Sequence, residues 1–232
     1  MAKEFKLEKA QKLKAVSLKK EFAVFGHFYD RKFNNSVIPC REILEIISLE
    51  SVPYDFQALP QTQAELIVVM MNPGSSKPAS KSYTPIVISR SSDINKKRYI
   101  VEAKPDNAQY QIMRFMLING WSHARILNLS DLRQPKSTVF MKAWPTLSES
   151  HSIFSKPRQK SLYELIGEPE QILLAWSQEE SLLPLAEMAS SAVRSFNTIG
   201  LSRGENLYAY PSPMLQKHKE AWLASISALM DK

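Results

Sequence analysis

The sequence predicts an α/β fold, a three-layer sandwich around a central, mainly parallel four-stranded sheet. Three observations lead there. The apolar residues gather into four short continuous runs, as in strands covered on both faces. The intervals between the runs leave room for helices, and several carry apolar residues at helical spacing. Hydrophobic residues make up 44% and charged residues 23% of the 232, a balance that supports a substantial buried core.

Taken in order, residues 1–22 (MAKEFKLEKAQKLKAVSLKKEF) read as a basic helix. Lys3, Lys6, Lys9, Lys12, Lys14, Lys19 and Lys20 surround a thin stripe of Phe5, Ala10, Leu13 and Val16. Residues 38–49 (IPCREILEIISL) show helical periodicity and read as a second helix. SVPYDFQALPQTQ is then a loop. Residues 1–60 are therefore expected to be a helical, basic extension packed on the core, and residues 61–232 the main α/β domain. The four strands are expected at residues 65–71, 124–129 (ARILNL), 171–176 (QILLAW) and 206–210 (NLYAY). Helices fit at 107–118, 181–195 and 217–230. The stretch from Ser75 to Pro105 is too long for an ordinary strand-to-helix connection and reads as an insertion. Its middle, SYTPIVISRSSDINKKRYIVEAK, resembles a hairpin of two β-prone segments around a polar turn.

Composition narrows the chemistry. The single cysteine, Cys40, excludes an internal disulfide and a Cys-only metal or iron–sulfur site. His27, His123, His151 and His218 lack paired metal spacing. No cofactor and no metal are expected. No apolar run approaches a membrane span, and the charged N-terminus does not hold a signal-peptide core, so a soluble, cytoplasmic monomer without a membrane partner is expected. A net charge of +7 and a pI near 9.4 suit a polyanionic partner such as DNA. Solubility alone is the other reading.

The first strand ends in Asn72-Pro73-Gly74, the second in Asn128-Leu129-Ser130-Asp131-Leu132-Arg133, and the fourth in Tyr210-Pro211-Ser212-Pro213-Met214. In a parallel sheet these ends share one edge, so two carboxamides, a phenol and a serine converge on one cleft. No nucleophilic triad and no obvious pair of carboxylates accompanies them.

These segments resemble the uracil-DNA glycosylase superfamily. MMNPGSS is similar to the first motif of its mismatch-specific branch, and ILNLSDLR and ILLAWS are similar to strand-end stretches of the classical uracil enzymes. YPSPM is similar to the H-P-S-P-L motif. The resemblance spans residues 65–222 in matching order and leaves out the first 60 residues and the Ser75–Pro105 insertion. It implies a uracil-DNA-glycosylase-like fold that binds duplex DNA with a flipped nucleotide. Breaking the N-glycosidic bond requires an extruded nucleotide, a placed water and stabilisation of charge on the departing base.

By position, the resemblance makes Asn72 the water-orienting residue and Asn128 the reader of the flipped base. Ser75, Ser212 and Lys217 become DNA contacts, and Met214 the apolar wedge. Tyr210 stands where the classical motif has a His, and would donate a phenolic hydrogen bond to the departing base. Gly74 stands where the classical enzymes place a Tyr that shields the pyrimidine C5, which implies open space there. Tyr83 is the candidate stacking aromatic, with Phe115 or a core role as alternatives. Lys156, Arg158 and Lys160 are candidates for tracking a phosphate backbone, with a solvated loop as the other reading.

The expected function is a monofunctional DNA glycosylase that excises a modified pyrimidine and leaves an abasic site. A bulky 5-substituted cytosine is the expected substrate, such as the glucosylated hydroxymethylcytosine of phage DNA, in anti-phage defence. The alternatives are a uracil or mismatch glycosylase of base-excision repair, or a catalytically idle member that binds nucleic acid or a nucleotide.

Overall fold

The chain opens with α1 (Ala2–Lys12) and the single turn α2 (Ala15–Leu18). Residues 38–49, expected to be helical, are not. Residues 38–48 lie in β2 (Ser36–Ser48), which pairs antiparallel with β1 (Phe22–Phe33), and Leu49 opens a short 3-10 turn. The reason lies in the charges. Arg41, Glu42 and Glu45 interrupt the apolar residues at the spacing of a solvated helix face. All three are buried instead, with Glu42 held by Arg98, Arg158 and His27, and Glu45 by His123 and Arg125. With its charges partnered inside, the run containing Ile43, Leu44, Ile46 and Ile47 is a strand buried on both faces. Residues 1–60 are therefore not a helical extension, because β1 and β2 are internal strands of the sheet.

The computed structural model describes residues 2–33, 36–96 and 98–230. The side chains of Lys3 and Phe5, part of the basic helix read from sequence, lie outside the described set. After β2 come β3 (Leu66–Met70), β4 (Lys77–Pro78), β5 (Ile86–Ile88) and β6 (Ile100–Lys104). Then follow α3 (Asn107–Asn119), β7 (His123–Asn128), α4 (Ser137–Ala143) and α5 (Gln159–Ile166). The last elements are β8 (Gln171–Leu174), α6 (Leu183–Val193), β9 (Thr198–Ile199) and α7 (Gln216–Leu229).

Among the described residues the sheet has nine strands rather than the expected four, in the order β4-β6-β1-β2-β7-β3-β8-β9, with β5 against β1. The neighbours β7, β3, β8 and β9 are parallel, while β2, β1, β6 and β4 form an antiparallel wing. The insertion is not a free hairpin, since β4, β5 and β6 are absorbed into that wing. Residues 206–210 are not the last parallel strand. Asn206 takes a left-handed φ of 54°, which breaks an extended run, and Tyr208 makes only isolated bridges to Ser177 and Ser202. The outer parallel partner of β8 is β9.

Helices cover both faces of the sheet. Alternation along β3 sends Leu66, Val68 and Met70 into one core with Ala10, Ile112, Phe115 and Trp222. Ile67 and Val69 enter the other core with Phe140, Leu162, Leu185 and Ala186. The helix α1 belongs to the first layer. Ala10 is buried, and Gln11 and Arg114 tie α1 and its following turn to Glu220 and Leu13 carbonyls. No helix among the described residues is long and apolar enough to cross a membrane.

Candidate functional site

The parallel pairing of β3 with β7 puts their carboxyl ends side by side, and the chain keeps them in register beyond the strands. Leu129 N–H donates to the Met70 carbonyl at 2.8 Å and Ser130 N–H to the Met71 carbonyl at 3.2 Å. After β3 the backbone turns sharply at Gly74, whose φ of +61° favours glycine. The loop that precedes α7 returns to the same edge. Between the turn after β3, the start of α3 and this loop lies a hollow of about 400 Å3 lined by Ser75, Asp106, Tyr210, Ser212, Met214 and Lys219. Met214 is 97% exposed, an apolar side chain standing free at the rim. A second hollow of about 380 Å3 shares Tyr210 and Pro213 with the first and adds Gln178, Arg203, His218 and Trp222.

Asp106 reaches the hollow as the N-cap of α3. Its Oδ1 accepts the Ala108 and Gln109 N–H groups at 3.0 and 3.3 Å, and Gln109 Oε1 accepts the Asp106 N–H at 2.7 Å. This capping box fixes the carboxylate rotamer. Oδ2 has no hydrogen-bond partner among the described residues and faces Gly74, where a Cβ would sit 3.4 Å from it. Burial raises the Asp106 carboxyl above its ordinary range, against the pull of Arg41 and the two backbone donors. Burial, and then the Asp106 charge, raise the Tyr210 phenol, so it remains a protonated donor at neutral pH.

Arg41, 1% exposed, lies close enough for its charge to act on Asp106 and Tyr210. Its Nη1 donates weakly to the Pro73 carbonyl at 3.5 Å, and its Nε has no partner among the described residues. Burial lowers its guanidinium to about 10, with Asp106 the leading charge that opposes the loss of its proton. It is charged at neutral pH, and its field falls on Asp106 and Tyr210.

The residues expected from sequence divide into two groups. Ser75, Tyr210, Ser212 and Met214 share the hollow. Asn72 lies outside the hollow: its Nδ2 donates to the Leu132 and Gln134 carbonyls at 3.2 and 2.8 Å and braces the loop after β7, while its Oδ1 makes no hydrogen bond among the described residues. Asn128 has no exposed surface. In the amide orientation that satisfies its neighbours, it donates to the Asn72 carbonyl and accepts from Arg41, both at 3.2 Å. It has no free edge for a base. A Cβ at Gly74 would meet, among the described residues, Asp106 Oδ2 alone, at a contact distance of 3.4 Å. Tyr83 donates to the Phe28 carbonyl at 2.7 Å and packs on the core, away from the hollow, and Phe115 is a core residue against Trp121. Lys217 is exposed on the first turn of α7, while Lys219 lines the hollow.

Arg158 is buried between Asp131 and Glu42, at 2.5 and 3.1 Å, and is not available to a phosphate. Lys156 and Lys160 are exposed. Asp106 and Arg41 were missed in the sequence. Asp106 carried a signal, Asp-x-x-Gln ahead of an apolar periodic run, which marks a helix start. Arg41 carried none. No family model, curated protein or solved structure matches this chain.

Proposed function

We propose that the protein is a DNA glycosylase that extrudes a modified pyrimidine into the cleft at the carboxyl edge of β3 and β7 and hydrolyses its N-glycosidic bond. The observation that carries this is the meeting of Ser75 with Tyr210, Ser212 and Met214 of one distant segment, around one polar hollow with a bare methionine at its rim. Each part suits the task. A free Met side chain serves as a wedge for the gap left in the duplex. Ser75, Ser212 and Lys219 supply donors for phosphate oxygens. Tyr210 offers an O–H to the negative charge that grows on the leaving base. The adjoining hollow, with Gln178, Arg203 and His218, suits a hydroxylated substituent on the pyrimidine. A 5-substituted cytosine, such as glucosylated hydroxymethylcytosine, is therefore the substrate we favour, with anti-phage defence as its setting. No cofactor is invoked.

A second reading is favoured by the burial of Asn128 and the commitment of Asn72. It is a catalytically idle member that binds nucleic acid through the same cleft. One experiment separates the two. Duplexes and single strands carrying uracil, hydroxymethylcytosine or its glucosylated form are incubated with the protein and then cleaved with alkali at abasic sites. Strand cleavage at the glucosylated base, faster than at uracil, is expected. Salt-sensitive binding without cleavage on any strand leaves the idle reading. Absence of binding at low salt removes DNA altogether.

A further inference from the structure

We propose that Asp106 is the catalytic carboxylate of this cleft, the group that orients the attacking water and takes its proton. The inference rests on the glycosylase reading and names a residue that the sequence motifs do not. Four observations converge on it. Asp106 lines the same hollow as Tyr210, Ser75 and Ser212. One of its oxygens is locked by the α3 capping box, so the other, Oδ2, is held in a fixed direction without a partner among the described residues. Gly74 leaves Oδ2 uncovered, where a Cβ would stand in contact with it at 3.4 Å. Arg41, 1% exposed and with an unpartnered Nε, supplies a buried positive charge that supports the ionised carboxylate. Asn72, the residue expected to orient the water by position, does not line this hollow, and its Nδ2 is bonded to the Leu132 and Gln134 carbonyls.

The step balances without a further reactant. The C1′–N bond breaks with its electron pair passing to the base, whose developing charge meets the Tyr210 O–H. A water oxygen held by Oδ2 donates a lone pair to the oxocarbenium C1′. Its proton passes to Asp106 and from there to the released base or to solvent. A carboxylate above the ordinary range is a better proton acceptor than an exposed one.

The test is Asp106→Asn. Asn is as good an N-cap as Asp, so α3 and the thermal midpoint should be retained. Single-turnover excision should fall by roughly 10²–10⁴-fold. Duplex affinity should hold or rise, because a negative charge has left a phosphate-facing cleft. In the wild type the rate should rise with pH as Asp106 ionises, and this limb should vanish in the variant. The charges and phenol facing the carboxylate are Arg41 from β2, Tyr210 from the preceding loop and Lys219 from α7, with Arg133 acting on Arg41. Asp106→Ser, a second capping residue, should behave alike. If the wild type excises a base and Asp106→Asn does so at an equal rate, Asp106 is no catalyst and the glycosylase reading survives alone. If the wild type excises no base from any strand, both fall together.

Discussion

At the scale of single residues, the same functional group is worth different things according to what it touches. Asn72 and Asn128 read as site residues because an amide at a strand end can serve a ligand or the backbone equally well. Here both serve the protein, and the consequence is measurable. Asn128→Ala should cost roughly 2–4 kcal/mol in urea unfolding, because Arg41 stays buried and charged with an acceptor removed. A loss below about 0.5 kcal/mol, the range of an ordinary surface change, would show that Asn128 does not hold Arg41. Substituting Gly74 is a poor probe of substrate size. Its φ of +61° strains any side chain, whatever the space before it.

Among the elements, α1 shows how a lysine-rich segment can be structural and basic together. Ala10 is 3% and Leu18 0% exposed, so removing residues 1–20 uncovers the core beside α3 and α7. Truncation should therefore unfold the protein or lower its thermal midpoint markedly, and it says little about DNA. The clean test keeps the fold. Lys6, Lys9 and Lys12 are exposed on α1, which is bonded to α7 near Lys219 through Gln11 and the Glu220 carbonyl. Replacing all three with Gln should leave stability within about 0.5 kcal/mol. The log–log salt slope of duplex binding should fall by about 0.9 for each lysine that neutralises a phosphate. An unchanged slope places the DNA surface elsewhere.

For the whole molecule, buried ion pairs join the antiparallel wing to the parallel strands. Glu45 binds Arg125 and His123 from β7, and Glu42 binds Arg98 and Arg158, the latter also held by Asp131. Burial alone would raise Glu42, but His27 and Arg98 hold it well below the usual carboxylate range. Its stabilisation is therefore complete above the unfolded-state value and is lost as pH falls through the folded one. His151 acts in the same sense over a higher window. Burial, and then Arg158, lower it from 6.5 to about 4, so the unfolded chain binds the proton first as pH drops. Between pH 6.5 and 4 this should remove up to about 3 kcal/mol of stability. Asp131, raised by burial, works against the trend and blunts it. Thermal melts across that window should show a falling midpoint that flattens in His151→Gln. An identical slope in the variant would mean that His151 does not stay neutral in the fold.

Local chemistry alone determined the strands β3, β7 and β8, the helices α3, α6 and α7, and the strand-end segments that border the cleft. An apolar run of five or six residues or a helical stripe follows from backbone geometry, which neighbouring residues settle among themselves. The tertiary structure decided what such neighbours cannot. Residues 38–48 are a strand because Glu45 meets Arg125, 80 positions away, so a charge that looks solvated is buried. The insertion joins the sheet because β1 had an open edge to accept β5 and β6. Asp106 enters the cleft because the capping of α3 and the bare backbone of Gly74 bring two distant segments together. Whether a polar side chain serves the fold or a ligand depends on which partners the packed chain leaves it, and those partners lie far away in the sequence.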